Sequence, residues 1–247
     1  MTQEKAGFGE EAINKIAEMA LASQLEEVER LKVKVKTDLS KLAHGEVDSI
    51  AINLYGLVMQ QELRVEELQL EINRVTVKPL SALFGKIKLT QPSDGRVRIV
   101  INEDSLTRAF NSESFRKRLH SLQGFVEDRR VAIHLQQVKC CLLRDGKIAF
   151  NSELILGKTR EERTLAFTAT PRIGTDQKGI VLEDVHYQEG KELPPELTAA
   201  LRSQASEVLS LRAFEQKGMS VRIQQLDVVA GKLTLQAAVY IEQFPSS

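Results

Sequence analysis

The sequence predicts an α+β fold in which a long, strongly curved antiparallel sheet wraps amphipathic helices. Three observations carry this. Apolar residues recur at every second position through many long segments, two stretches switch to helical spacing, and strands outnumber helices. Strands that are polar on one face must either leave that face in water or curl around something, and helices laid on a concave side bury both helical stripes at once. The chain has 247 residues, 42% of them hydrophobic, enough for a sizeable core without disulfides or metals.

Residues 1–7 are expected to be disordered and 8–247 to form one domain. Phe8 to Leu25 carries Phe8, Ala12, Ile13, Ile16 and Ala20 at helical spacing, which predicts an amphipathic helix with one buried stripe. Val28 to Lys36 alternates Leu31, Val33 and Val35 with Arg30, Lys32, Lys34 and Lys36, a strand with one wet, basic face. Val47 to Val58 and Val65 to Val77 repeat the alternation. Pro79 stops the third strand; Leu80 to Gly85 reads as a helical turn, and Lys86 to Leu89 as a resumed strand. Ser93-Asp94-Gly95 reads as a turn into Val97 to Ile101.

Asn102 to Leu122 is helical again, with Asn111-Ser112 as a break and cap. Then come Arg130 to Leu143, a turn at Asp145-Gly146, Lys147 to Leu156, Arg163 to Ile173 and Gly179 to Gln188, an antiparallel meander. Pro194-Pro195 opens a second long helix, whose apolar face is Leu197, Ala200, Leu201, Ala205, Val208 and Leu209. Met219 to Val229 and Lys232 to Ile241 close the chain as a hairpin turning at Ala230-Gly231.

Composition narrows the function. Lys and Arg number 34 and so do Asp and Glu; with 5% aromatic residues and no Trp, the chain lacks both the field and the stacking platforms of a general nucleic-acid binder. No apolar run reaches the ~20 residues of a membrane span, and Met1 to Glu11 lacks a signal-peptide layout, so a cytoplasmic protein, at most peripheral at a membrane, is expected. Cys140 and Cys141 are neighbours whose side chains diverge on a strand, and read as reduced core residues.

Catalytic and cofactor motifs find no support. Gly7-Phe8-Gly9 opens a helix but follows no strand, as a dinucleotide fingerprint must. Gly157-Lys158-Thr159 lacks the first glycine of a phosphate loop. His44, His120, His134 and His186 are scattered without metal-ligand spacing, so neither a metal nor a cofactor is expected. Glu66-Glu67 and Glu161-Glu162 read as solvated pairs. Between Arg96 and Arg130 basic residues exceed acidic ones, and Arg116-Lys117-Arg118 lies beside Phe115 and Leu119. Such a helix suits an anionic membrane surface, although a solvated helix face near a core stripe is the plainer reading.

From Glu46 to Phe110 the sequence becomes more specific. Val47-Asp48-Ser49-Ile50, Gly56-Leu57-Val58, Val65-Glu66-Glu67-Leu68, Val77 to Ile87 and Asn102 to Asn111, together with Met219-Ser220-Val221, Gly231-Lys232-Leu233 and Phe244-Pro245, resemble the LmeA-like phospholipid-binding proteins, in particular cyanobacterial-type members. The resemblance runs from Phe8 onward. It implies an elongated, barrel-like curved β-structure enclosing an apolar cavity, related in shape to the tubular lipid-binding superfamily, with no catalytic residues to carry over.

The expected function is non-enzymatic binding or transfer of a phospholipid or other glycerolipid, a glycolipid included. Candidate lining residues are Ile13, Ile16, Ala20, Leu54, Leu68, Leu70 and Ile72, with Leu80, Leu83 and Phe84 near a mouth. Arg108, Arg116, Lys117 and Arg118 are candidates for a head group or a membrane surface. Two alternatives stand beside this: a membrane- or protein-interaction module whose core is filled by these same residues, and a lipid-processing enzyme.

Overall fold

The computed structural model describes residues 3–23, 25, 27–59, 62–77, 89–120, 123–126, 129–156, 161–188, 195–212 and 218–242. Twelve strands form two six-stranded antiparallel sheets among them. The first sheet holds β1 (Arg30–Lys36), β2 (Glu46–Val58), β3 (Arg64–Thr76) and β4 (Ser93–Asn102). It is completed by the last two described strands, β11 (Met219–Val229) and β12 (Lys232–Ile241), in the order β1-β2-β3-β4-β12-β11. The expected hairpin is present, but pairing of Leu233 with Ile101 and Leu235 with Ile99 joins it to the amino-terminal half. Nothing local in the sequence announces that long-range pairing.

The second sheet contains β5 (Gln123–Val126), β6 (Arg129–Leu135), β7 (Lys139–Leu142), β8 (Ile148–Leu156), β9 (Glu161–Ile173) and β10 (Ile180–Tyr187). The expected single strand over Arg130 to Leu143 is divided. Leu135 pairs with Leu154 and Lys139 with Asn151, so one strand advances four residues while β8 advances three, a bulge that re-aims the chain. Neither sheet closes into a barrel among the described residues: the first ends at β1 and β11, the second at β5 and β10.

Among the described residues five helices accompany the sheets: α1 (Gln3–Ala22), α2 (Leu39–Ala43), α3 (Glu103–Phe110), α4 (Glu113–His120) and α5 (Pro195–Val208). α1 begins ahead of the expected Phe8 start, inside the stretch expected to be disordered. The break at Asn111-Ser112 is where the sequence places it: Phe115 N donates to Ser112 Oγ at 3.2 Å, as Ser105 N donates to Asn102 Oδ1 at the head of α3. Ser93-Asp94-Gly95, expected as a turn, instead begins β4. Gly95 pairs with Ile72 and Val239, and a Cβ there would come within 2.6 Å of the Glu71 carbonyl oxygen. Glycine serves close strand approach at this point. The expected turn at Leu80 to Gly85 and strand at Lys86 to Leu89 lie, apart from Leu89, outside the described residues; Leu89 pairs with Val77.

Both sheets contribute to one apolar core. Ile52, Leu54, Leu68, Ile72, Val97, Ile99, Leu233 and Leu235 come from the first, Ile148, Phe150, Leu165 and Leu182 from the second. Phe110, Phe150, Phe167 and Tyr187 form a chain of ring contacts from α3 across β8, β9 and β10, ending in a 2.6 Å hydrogen bond between Tyr187 Oη and Thr198 Oγ1 of α5. Burial beneath α5 raises the Tyr187 pKa. The sheets also meet at the 174–179 loop, where Ile223 N of β11 donates to Gln177 O at 2.7 Å.

A shared device covers two of the open strand edges. On α1, Asn14 Oδ1 and Glu18 Oε1 accept from Val35 N and Val33 N of β1 at 2.7 and 3.1 Å. On α3 and its C-cap, Glu103 Oε1, Thr107 Oγ1 and Asn111 Oδ1 accept from Leu142 N and Cys140 N of β7 and from Val138 N just before it, at 2.6, 3.1 and 2.9 Å. Four helical residues rise about 6.0 Å and two strand residues about 6.7 Å, so acceptors at i, i+4 and i+8 keep step with every second amide of an edge strand. The sequence suggested helices on a concave face; α1 lies along an edge instead.

Candidate functional site

On the first sheet the inward row of each strand is aliphatic, and the register sets these rows side by side. Val33 opposes Ile52 and Leu31 opposes Leu54; Leu54 opposes Leu68, Ile52 opposes Leu70, and Ile50 opposes Ile72. Leu54, Leu68, Leu70 and Ile72, singled out in the sequence, therefore share one apolar surface. Burial is uneven across it. Leu54, Leu68 and Ile72 are buried, whereas Leu31, Ile50 and Leu70 are only half-buried.

α1 borders this half-covered region. Its Ile13, Ala17 and Leu21 are half-buried and packed against the core. That stripe differs from the expected Ala12, Ile13, Ile16 and Ala20: Ala12 is exposed, Ile16 is 61% exposed, and Ala20 is half-buried. The reason lies in Asn14 and Glu18. Their bonds to the β1 backbone set the helix rotation, and a residue midway between them falls on the far side of the helix. Periodicity finds the helix but does not see that its polar residues have a partner. Leu80, Leu83 and Phe84 lie outside the described residues, between Val77 and Leu89.

Of the expected head-group cations, Arg108 lies on α3 and Arg116, Lys117 and Arg118 on α4. α3 packs against β3, β4 and β7, and α4 against β6 and α5. Arg108 is exposed with Nη2 3.5 Å from Ser105 Oγ, and Arg116 Nη2 donates to Asn111 Oδ1 at 3.4 Å. Lys117 Nζ lies 2.7 Å from Glu113 Oε1, and this ammonium holds the Glu113 carboxyl below its ordinary range. The side chain of Arg118 lies outside the described set.

One groove missed by the sequence reading, of about 670 Å³, opens where the bulge between β6 and β7 passes α3. Glu103, Asp104, Thr107, Lys139, Asn151 and Glu153 are among its lining, and none of the seven expected apolar lipid positions that fall among the described residues borders it. Cys140 is also there, its thiol buried and its pKa pushed far up by that burial, which disfavours the thiolate. Cys141 beside it is half-buried and free. The lining favours polar, hydrated contacts over a hydrocarbon chain. Among the described residues no three His, Cys, Asp or Glu side chains converge as a metal set, and no helix is long and apolar enough to cross a membrane.

A family model described as LmeA-like phospholipid-binding matches residues 5–238. No curated protein and no solved structure matches the chain significantly.

Proposed function

The chain belongs to the LmeA-like phospholipid-binding family, and from that premise we propose that it binds a glycerophospholipid without catalysing its conversion, acyl chains lying along the inward face of β1–β3. The observation that carries this reading is the half-covered apolar surface formed by Leu31, Ile50 and Leu70 beside Ile13, Ala17 and Leu21 of α1. Leu54, Leu68 and Ile72 form its buried floor. A dozen methylenes withdrawn from water at ~0.8 kcal/mol each contribute about 10 kcal/mol, which offsets much of the cost of leaving a bilayer. Ile16 faces away and has no part in the lining.

In this reading the first sheet bends around the acyl chains in the manner of a tubular lipid carrier, Leu80, Leu83 and Phe84 lie near the mouth, and the protein works as a peripheral carrier between membranes. Arg108 is the head-group candidate, since its neighbour, the Ser105 hydroxyl, is uncharged and leaves the guanidinium available to a phosphate. A second reading, an interaction module with a filled core, draws on the closure of the floor, where Ile72 is 0% exposed.

Native mass spectrometry after incubation with phosphatidylglycerol vesicles separates the two. A one-to-one lipid adduct that is lost in Leu70→Asp, with the folded circular-dichroism spectrum retained, supports lipid binding. Bare protein alone at saturating lipid overturns it in favour of the filled core.

A further inference from the structure

Arg30, Lys32, Lys34 and Lys36 all stand exposed on the outward face of β1. At ~3.3 Å per residue the row is about 20 Å long. Arg30 lies over the Tyr55 ring, 5.4 Å from its centroid, and no ion pair among the described residues engages Lys32, Lys34 or Lys36. The outward row of the adjoining strand, Ser49, Ala51, Asn53 and Tyr55, carries no charge. Glu29, next to the row in sequence, is held by Arg64 at 2.6 Å. In a chain whose 34 cations equal its 34 anions, this is a local excess of positive charge, and the carboxylate bonded to the β1 backbone, Glu18 of α1, is already engaged by Val33 N and Lys15.

An apolar flank accompanies the row. Ile16 and Met19 of α1 are 61% and 58% exposed. Asn14 and Glu18 bond to Val35 and Val33, the residues on either side of Lys34, so Ile16, midway between those two acceptors, is level with Lys34 and about one helix diameter, ~10 Å, away. One flat surface can touch both.

We propose that the outward row of β1 and the Ile16–Met19 flank of α1 form the surface by which the protein docks on an anionic bilayer. Phosphate-bearing head groups would meet Lys32, Lys34 and Lys36, while Ile16 and Met19 enter the boundary between head groups and acyl chains. An acidic protein or a nucleic acid would satisfy the charges and leave the apolar pair in water; a bilayer satisfies both. The α3–α4 cations favoured by the sequence reading are weaker candidates, because Arg116 and Lys117 already have partners and Phe115 of α4 is buried. The proposal extends the reading above by naming the face through which the ligand would be reached.

The test is co-sedimentation of the full chain with vesicles of phosphatidylcholine alone or containing one third phosphatidylglycerol. Expected is binding to the second kind only, weakening as salt rises. The triple reversal K32E/K34E/K36E should bind about a hundredfold more weakly, I16D/M19D about tenfold more weakly even at low salt, and R116E/K117E as the native chain does. Equal binding to both vesicle types, an unaffected triple reversal, or retention on heparin with no vesicle binding overturns the proposal. Uptake of a water-soluble short-chain phosphatidylglycerol distinguishes surface from ligand site: a triple reversal that still takes it up has lost only docking. Failure of the native chain to take it up counts against the ligand site and leaves the docking surface standing.

Discussion

Two helices lie along open strand edges by the same geometry, acceptor side chains four residues apart bonded to amides two residues apart, yet they are seated very differently. α3 and its C-cap bring three acceptors to the β7 edge, and behind them Leu106 and Ala109 are 0% exposed and Phe110 2%. α1 brings two acceptors to β1, and behind them Ile16 and Met19 are mostly in water. The hydrogen-bonding pattern aligns a helix with an edge, whereas the apolar area behind it decides how firmly the helix is held, since each exchanged hydrogen bond contributes little net and each buried side chain contributes more. α3 is structural; α1 is the covering that leaves a flank free for another surface.

The largest effect that would test this contrast comes from apolar side chains of the two helices. Leu106→Ala should cost about 2–5 kcal/mol in urea unfolding, and Ile16→Ala should stay within about 0.5 kcal/mol; similar losses would erase the distinction. Next are the acceptors. Asn111→Leu leaves both the N–H and the carbonyl of Val138 without this partner and should cost about 1–3 kcal/mol, with Asn14→Leu below about 1 kcal/mol because a single bond is lost there. Hydrogen exchange sharpens the comparison without mutation: Val138, Cys140 and Leu142 amides should exchange more slowly than those of Val33 and Val35, and equal protection would show α1 to be as firmly seated as α3.

The smallest effect is acid-dependent. Lys117 lowers the Glu113 pKa, so this pair adds stability above the carboxylate's unfolded pKa and loses it as pH falls through the lower folded value. Glu113→Gln should make the acid limb of the stability curve slightly shallower, by an amount limited by the full exposure of the pair.

Strand existence was legible because alternation reports a one-sided sheet directly, as Leu31-Val33-Val35 against Lys32-Lys34-Lys36 shows. The Asn111-Ser112 break was legible because capping is local chemistry. Pairing of β12 with β4 was not, since complementary aliphatic rows fit many partners and only tertiary competition chooses among them. Ser93-Asp94-Gly95 misled because glycine serves close approach as well as turns. On the candidate site, the apolar rows of β2 and β3 were readable, but the rotation of α1 was not, since Asn14 and Glu18 look like any solvated pair until an edge strand lies beside them. Glu103, Thr107 and Asn111, spaced at i, i+4 and i+8, were a visible signal of the same kind, one that a search confined to apolar stripes passes over.

The place of β4 has a consequence for biosynthesis. Its partner β12 is synthesised after every strand of the second sheet, so throughout that interval the nascent amino-terminal half presents an unzipped, aliphatic ribbon. Shielding by the translation machinery or a holdase over that interval should therefore govern yield, and transcripts shortened before Lys232 should give aggregates rather than a smaller soluble product.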